Sequence, residues 1–180
     1  MDHQLARYSK FLSLVLRHRP ERIGLTLDDG GWADVTELLY KANAANVPLT
    51  PELLQQVVAE NNKQRFAFNQ DGTRLRASQG HSIPVDLGLT PVTPPPILYH
   101  GTATKYMASI QQQGLRPCRR HHVHLSGDGE TAVAVGQRHG TPMVLIIQAE
   151  QMYQAGYAFY RSANGIWLTD HVPSTYIQFP

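Results

Sequence analysis

At 180 residues with 42% hydrophobic side chains, the chain can bury one substantial core or two small ones, and its single cysteine, Cys118, excludes an internal disulfide framework. No apolar run approaches the ~18 residues needed to cross a bilayer, and MDHQLARYSK lacks the apolar stretch of a secretory signal, so a reducing cytoplasmic location is expected. A net charge of +2 excludes a long basic face gripping many phosphates, yet 12 of the 16 basic residues are arginine, whose planar fork suits a few phosphates held specifically.

Leu5, Tyr8, Phe11, Leu12, Val15 and Leu16 recur at helical spacing, and Pro20 stops the pattern, which leaves Arg17, His18 and Arg19 at a helix C-terminus. DDGGW (28–32) reads as a turn, after which Asp34 can cap a second helix through VTELLYKANAA. Thr50-Pro51-Glu52 combines a cap, a proline at the first helical position and a dipole-matching acid, so LLQQVVAEN is expected to form a third helix. RFAFN and RLRA read as two short strands around an Asp71-Gly72 turn. Three helices followed by a hairpin is the order of a winged-helix module, assigned to residues 1–85. The proline-rich stretch 86–96 reads as an extended, semi-rigid connector.

Residues 97–180 begin with ILYH as a strand, KYMASIQQQGL as a helix ending at Gly114, and HHVHLS as a strand. A helix over GETAVAVGQRHG and the apolar strand MVLIIQA follow, and YAFYRS and GIWLTD add two more strand candidates before VPSTYIQF. The expected class is α+β, with the strands concentrated in the second lobe.

RRHHVHLS (119–126) raises a choice between metal and anion. Strand alternation puts His122 and His124 on one face and His121 on the other, and a His-x-His pair beside Cys118 can supply zinc ligands. No second Cys/His cluster has zinc spacing, and Arg119 and Arg120 would repel a cation, so no metal is expected. The arginines point to an anion instead: Arg17, His18, Arg65 and Arg120 fall at element ends in both lobes, where folding could gather them around one anion. In Tyr99-His100-Gly101-Thr102, glycine would let a ligand approach the backbone while His100 and Thr102 offer directed hydrogen bonds.

Taken together, LRHRP (16–20), DDGGW (28–32), NKQRF (62–66), RASQGHS (76–82), LYHGT (98–102), RHHVHLS (120–126) and NGIWLTDHVP (164–173) closely resemble the NAD-dependent RNA 2'-phosphotransferases, also called tRNA 2'-phosphotransferases. The resemblance implies an N-terminal winged-helix lobe and a C-terminal ADP-ribosyltransferase-like lobe at 97–180. It implies a catalytic tetrad of Arg17, His18, Arg65 and Arg120, with a one-residue ambiguity between Arg120 and Arg119. It assigns His100, Gly101 and Thr102 to the ribose and nicotinamide amide of NAD, and places His124 and Ser126 against the nicotinamide. Where many related transferases carry a glutamate, this chain has Ile166. A phosphomonoester is already an anionic nucleophile, so such a base is dispensable.

The implied reaction has two steps. The RNA 2'-phosphate attacks the anomeric carbon of NAD and expels nicotinamide, giving a 2'-phospho-ADP-ribosylated RNA. The ribose 2''-hydroxyl then attacks phosphorus, releasing 2'-OH RNA and ADP-ribose 1'',2''-cyclic phosphate. His18, the member of the tetrad that titrates near neutrality, is expected to hold the phosphate first and to protonate the RNA oxygen second. NAD is thus a consumed co-substrate, no metal is required, and the expected partner is a tRNA-like RNA bearing a 2'-phosphate. Arg74 and Arg76, with the polar residues of RASQGHS, are expected to position the RNA backbone. Two other functions fit parts of the sequence: ADP-ribosylation of nucleic-acid terminal phosphates, and a winged-helix regulator sensing a metal through His122 and His124.

Overall fold

Leu5, Tyr8, Leu12, Val15 and Leu16 lie on one stripe of helix α1 (His3–Arg17) and are at most 7% exposed, so the helical spacing in the sequence is also the burial pattern. The computed structural model describes residues 3–180; Met1 and Asp2, part of the N-terminal stretch read above, lie outside the described residues. A 3-10 turn at Pro20–Ile23 follows α1. Strand β1 (Ala33–Asp34) leads into α2 (Val35–Ala44), capped as expected by Asp34, whose carboxylate accepts from Glu37 N at 2.9 Å. Thr50 caps α3 (Pro51–Ala59) through Leu53 N at 3.2 Å.

Strands β2 (Phe66–Phe68) and β3 (Arg74–Ala77) form the expected antiparallel hairpin, in the register Phe66 with Ala77 and Phe68 with Leu75. Strand β1, which is too short to read from the sequence, adds to β3, giving the order β1-β3-β2. The core of this part joins α1, α2, α3 and the sheet through Leu12, Leu16, Leu38, Leu54 and Leu75, each at most 1% exposed and each contributing on the order of 2 kcal/mol by burial.

The chain divides into two compact units, Met1–Gly88 and Leu89–Pro180. The proline-rich stretch is tied down rather than loose: Asp86 N donates to Asp29 O in the first unit, whereas Val92 N donates to Phe159 O and Pro96 O accepts from Glu150 N in the second.

In the second unit β4 (Leu98–Ala103) runs three residues beyond the predicted strand end. Helix α4 (Met107–Gln113) is shorter than predicted because residues 104–106 form a 3-10 turn. Strand β5 (Val123–Leu125) is followed by α5 (Gly129–Gly136), which stops four residues before the predicted end. Strand β6 (Pro142–Ile147) leads into α6 (Ala149–Gln154), a helix absent from the sequence reading: six residues hold too little periodicity to declare themselves after an apolar strand. Strands β7 (Tyr160–Arg161) and β8 (Trp167–Thr169) are shorter than their predicted stretches, and β9 (Ile177–Gln178) is a strand that the sequence did not predict.

Two three-stranded antiparallel sheets result, β4-β6-β9 and β5-β8-β7, joined where Tyr99 and Ser126 exchange backbone hydrogen bonds of 2.9 and 2.7 Å. Their shared core includes Leu98, Leu125, Leu145, Ile147, Met152 and Phe159. The chain is therefore α+β. Among the described residues no helix is long and apolar enough to cross a membrane.

Candidate active site

Three of the four tetrad residues lie in the first unit, and the structure gathers them into one hydrogen-bonded frame. Arg17 is the last residue of α1, and the amides of His18 and Arg19 both fold back onto Leu14 O, so His18 leaves the helix at a tight turn. Arg17 Nη2 donates to Arg65 O at 3.4 Å, and its guanidinium lies 5.9 Å from the Phe66 ring centroid. Arg65 Nη1 donates to Asn61 Oδ1 at 3.1 Å. Asn61, 2% exposed, also accepts from Lys63 N at 3.2 Å and donates through Nδ2 to Ser9 Oγ at 3.0 Å, so both ends of its amide are used.

Between Asn61 and Arg65 the chain passes through Gln64 at φ +43°, a left-handed conformation that non-glycine residues adopt at a cost of about 1–2 kcal/mol. That tight turn, closed by Gln64 N onto Asn61 O at 2.7 Å, brings Arg65 back over the asparagine. The RASQGHS stretch braces the other side. Ser78 N donates to Arg65 O at 2.8 Å, Ser82 N donates to Arg17 O at 2.9 Å, and Ser82 Oγ lies 2.9 Å from His18 Nδ1.

The second unit assembles the remaining candidates. Val123 and Leu125 are buried, so His124 between them lies on the opposite face of β5, with His122 just before the strand and Ser126 just after it. Arg120 Nη1 donates to His124 Nδ1 at 2.9 Å. A guanidinium only donates, so Nδ1 is the acceptor and the proton of the neutral ring sits on Nε2. Arg120, rather than Arg119, carries this contact. Its guanidinium is pushed below the usual arginine value by desolvation first and by the neighbouring Arg138 charge second, and it stays a cation at neutral pH.

His100 Nδ1 lies 3.0 Å from His124 O, a carbonyl that can only accept, so Nδ1 carries the proton and Nε2 keeps its lone pair. Burial pushes this half-buried imidazole below the ordinary histidine value; the His124 carbonyl opposes that, and the nearby His139 and Arg120 charges reinforce it. The neutral form is therefore favoured on folding. His100 contributes stability that is complete above about pH 6.5 and lost as the pH falls through its folded midpoint. Nitrogen-edited NMR of the ring is expected to show an Nδ1-H tautomer at pH 7 and a titration midpoint below 6.5. An Nε2-H tautomer would contradict the assigned bond to His124 O.

Gly101 also has a packing role that the sequence did not reveal. A Cβ built there falls 1.8 Å from Ala132 O of α5, so the glycine makes room for a helix backbone. Thr102, 5% exposed, follows in the same strand.

The other sequence candidates are engaged elsewhere. Arg74 pairs with Asp28 at 2.9 Å, and Arg76 lies 4.4 Å from the Trp32 ring centroid with Nη1 3.4 Å from Gly30 O, so DDGGW occupies both arginines expected to face RNA. His122 Nε2 stands 3.7 Å from Asp170 Oδ1. Among the described residues no group of three or more His, Cys, Asp and Glu side chains is placed to hold a metal ion. Ile166 precedes β8 and exchanges hydrogen bonds with Ser162.

Sequence reasoning missed Asn61 as the anchor of Arg65, having placed it as the last residue of a helix. An Asn-Asn pair just before Lys63 was the available signal, because asparagine favours helix ends and left-handed turns. Arg138 and His139, whose charges act on Arg120 and His100, were hidden inside a stretch read as helix.

The chain matches the model of the family described as RNA 2'-phosphotransferase, Tpt1 / KptA family, over residues 3–171. It is 56% identical over 176 residues to a probable RNA 2'-phosphotransferase of Acaryochloris marina, covering 98% of this chain and 97% of that one. It is 59% identical over 169 residues to a protein of the same description from Agrobacterium fabrum, covering 94% and 91%. A third, from Burkholderia pseudomallei, is 58% identical over 174 residues, covering 97% and 95%. With identity at this level across nearly the whole of each chain, this protein belongs to the RNA 2'-phosphotransferase, Tpt1 / KptA family.

Proposed function

We propose that the protein removes an internal 2'-phosphate from RNA by transferring it to NAD, in the cytoplasm. The observation that carries the reading is the hydrogen-bonded frame that joins Arg17, His18 and Arg65 through Asn61, Ser78 and Ser82. The three helices and hairpin of the first unit support a winged-helix reading of residues 1–85. The paired small sheets of the second support an ADP-ribosyltransferase-like reading of residues 97–180, with 86–96 between them.

The residues of the second unit suit NAD as co-substrate. His100 offers Nε2 as an acceptor for a ribose hydroxyl, and Thr102 and the main chain of Gly101 offer hydrogen bonds to the amide, with His124 in β5 and Ser126 just after it. Arg120, with Arg138 close by, supplies positive charge for phosphate oxygens.

In the first step a 2'-phosphate oxygen forms a bond to C1'' as the bond to nicotinamide breaks, and nicotinamide leaves with the electron pair. In the second the 2''-hydroxyl oxygen bonds to phosphorus and gives up its proton to water, the bond from phosphorus to the RNA 2'-oxygen breaks, and protonated His18 gives that departing oxygen a proton. Arg17, Arg65 and Arg120 stabilise the developing phosphoryl charge, each by about 2–4 kcal/mol at oxyanion-hole magnitudes. Ser82 Oγ, 2.9 Å from Nδ1, fixes the orientation of the His18 ring.

The test is incubation with NAD and an oligoribonucleotide bearing one internal 2'-phosphate, with and without EDTA. Nicotinamide, 2'-OH RNA and ADP-ribose 1'',2''-cyclic phosphate are the expected products in both conditions. Stable ADP-ribosylated RNA as the end product, or no nicotinamide at all, would overturn the reading.

A further inference from the structure

A hollow of about 390 Å³ runs along α1, lined by Ala6, Ser9, Lys10, Ser13 and Leu14, and it is closed at one end by His18 and Arg65. The α1 positions step by three and four, so they form one stripe of the helix, and Lys10 stands about 12 Å along the axis from His18. The hollow's size is at the small end of ligand sites. Ala6 and Leu14 give it apolar surface, Ser9 and Ser13 hydroxyls, and the exposed Lys10 a cation. Ser9 Oγ accepts from Asn61, which also holds Arg65, so the wall of the hollow and the phosphate-binding frame share one network.

We propose that this hollow is a nucleotide subsite, seating the RNA residue next to the 2'-phosphate with Lys10 on its phosphodiester. The inference rests on the reading that His18 and Arg65 hold the 2'-phosphate. A ligand whose phosphate is gripped at that end must run on into the space they close, and what adjoins an internal 2'-phosphate is a ribose and a phosphodiester. Beyond the His18 and Arg65 end, the lining among the described residues contains one cation, Lys10, for one diester and no side-chain fork for a base edge, so the subsite reads the backbone and is indifferent to sequence.

Binding of fluorescent oligoribonucleotides without NAD tests this, using matched RNAs with and without one internal 2'-phosphate and a nucleoside 2'-monophosphate as competitor. Lys10→Ala is expected to weaken oligonucleotide binding about tenfold and to reduce the salt slope by about one, while the affinity of the monophosphate, which lacks a diester, changes less than twofold. Lys10→Arg restores most of the loss. Arg7→Ala, which removes an exposed α1 cation outside the hollow, is expected to leave both affinities unchanged. Equal effects of Lys10→Ala on oligonucleotide and monophosphate, or of Lys10→Ala and Arg7→Ala on the oligonucleotide, would overturn the subsite. Equal wild-type binding of RNA with and without the 2'-phosphate would instead remove the reading beneath it.

Discussion

Arg65→Ala is expected to lower RNA-dependent nicotinamide release and RNA dephosphorylation by two to three orders of magnitude while costing only about 1 kcal/mol of stability. The stability cost is small because Asn61 Oδ1 keeps its bond from Lys63 N when the guanidinium is removed, so no buried acceptor is orphaned. The rate cost is large because the guanidinium that Asn61 anchors is the proposed ligand of the phosphoryl oxygens, and alanine removes it outright. Arg65→Lys is expected to recover less than a tenth of the rate, since a single ammonium cannot keep the anchor and grip the phosphate together. His18→Ala should differ in kind: nicotinamide is still released, and the ADP-ribosylated RNA accumulates because the departing 2'-oxygen lacks its proton donor. Thermal melts alongside product analysis check all three variants. Full turnover by His18→Ala would remove the histidine from the second step.

The contrast between Arg65 and Asn61 shows how far the sequence could be read. Arg65 stands out in NKQRF because an arginine at a strand start is a recognisable chemical type in a recognisable place. Asn61 does not, because its importance lies in being 2% exposed with both ends of its amide bonded, and burial of one polar group is decided by packing from α1. The same divide runs through the fold. Helices α1, α2 and α3 were legible because caps and apolar spacing act locally and agree. The two-residue strands β1 and β9 were not, since each exists only through pairing with a distant partner. In the site, alternation along β5 fixed the face on which His124 lies. The proton positions on His100 and His124 needed the carbonyl and the guanidinium that face them. Arg74 and Arg76 show the converse: two cations beside a hairpin suggested RNA, while their contacts with an acid and an indole from a turn more than forty residues earlier could not be read from the sequence.

Gly101→Ala carries the largest expected effect on stability. The added Cβ would stand 1.8 Å from Ala132 O, 2.7 Å from Ala132 C and 2.9 Å from Gly136 N, all main-chain atoms that no rotamer change can move aside. Helix and strand meet here through a pair of glycines, since a Cβ on Gly136 would in turn fall 2.5 Å from Thr102 O. Relief therefore requires α5 to lift from β4, with loss of packing along both elements. That places the cost at or above the upper end of overpacking, about 3 kcal/mol or more, and lowers the melting temperature by about 6–12 °C. Gly136→Ala separates this cause from helix propensity. In a helix alanine is favoured over glycine by about 1 kcal/mol, so propensity alone predicts a more stable protein, whereas the contact with Thr102 O predicts a less stable one. Both variants are expected to unfold at lower temperature in a circular-dichroism melt, and because Gly101 and Thr102 flank each other beside His100, Gly101→Ala should also raise the KM for NAD. A melt within 2 °C of wild type for Gly101→Ala would mean that α5 does not seat on β4 through these glycines.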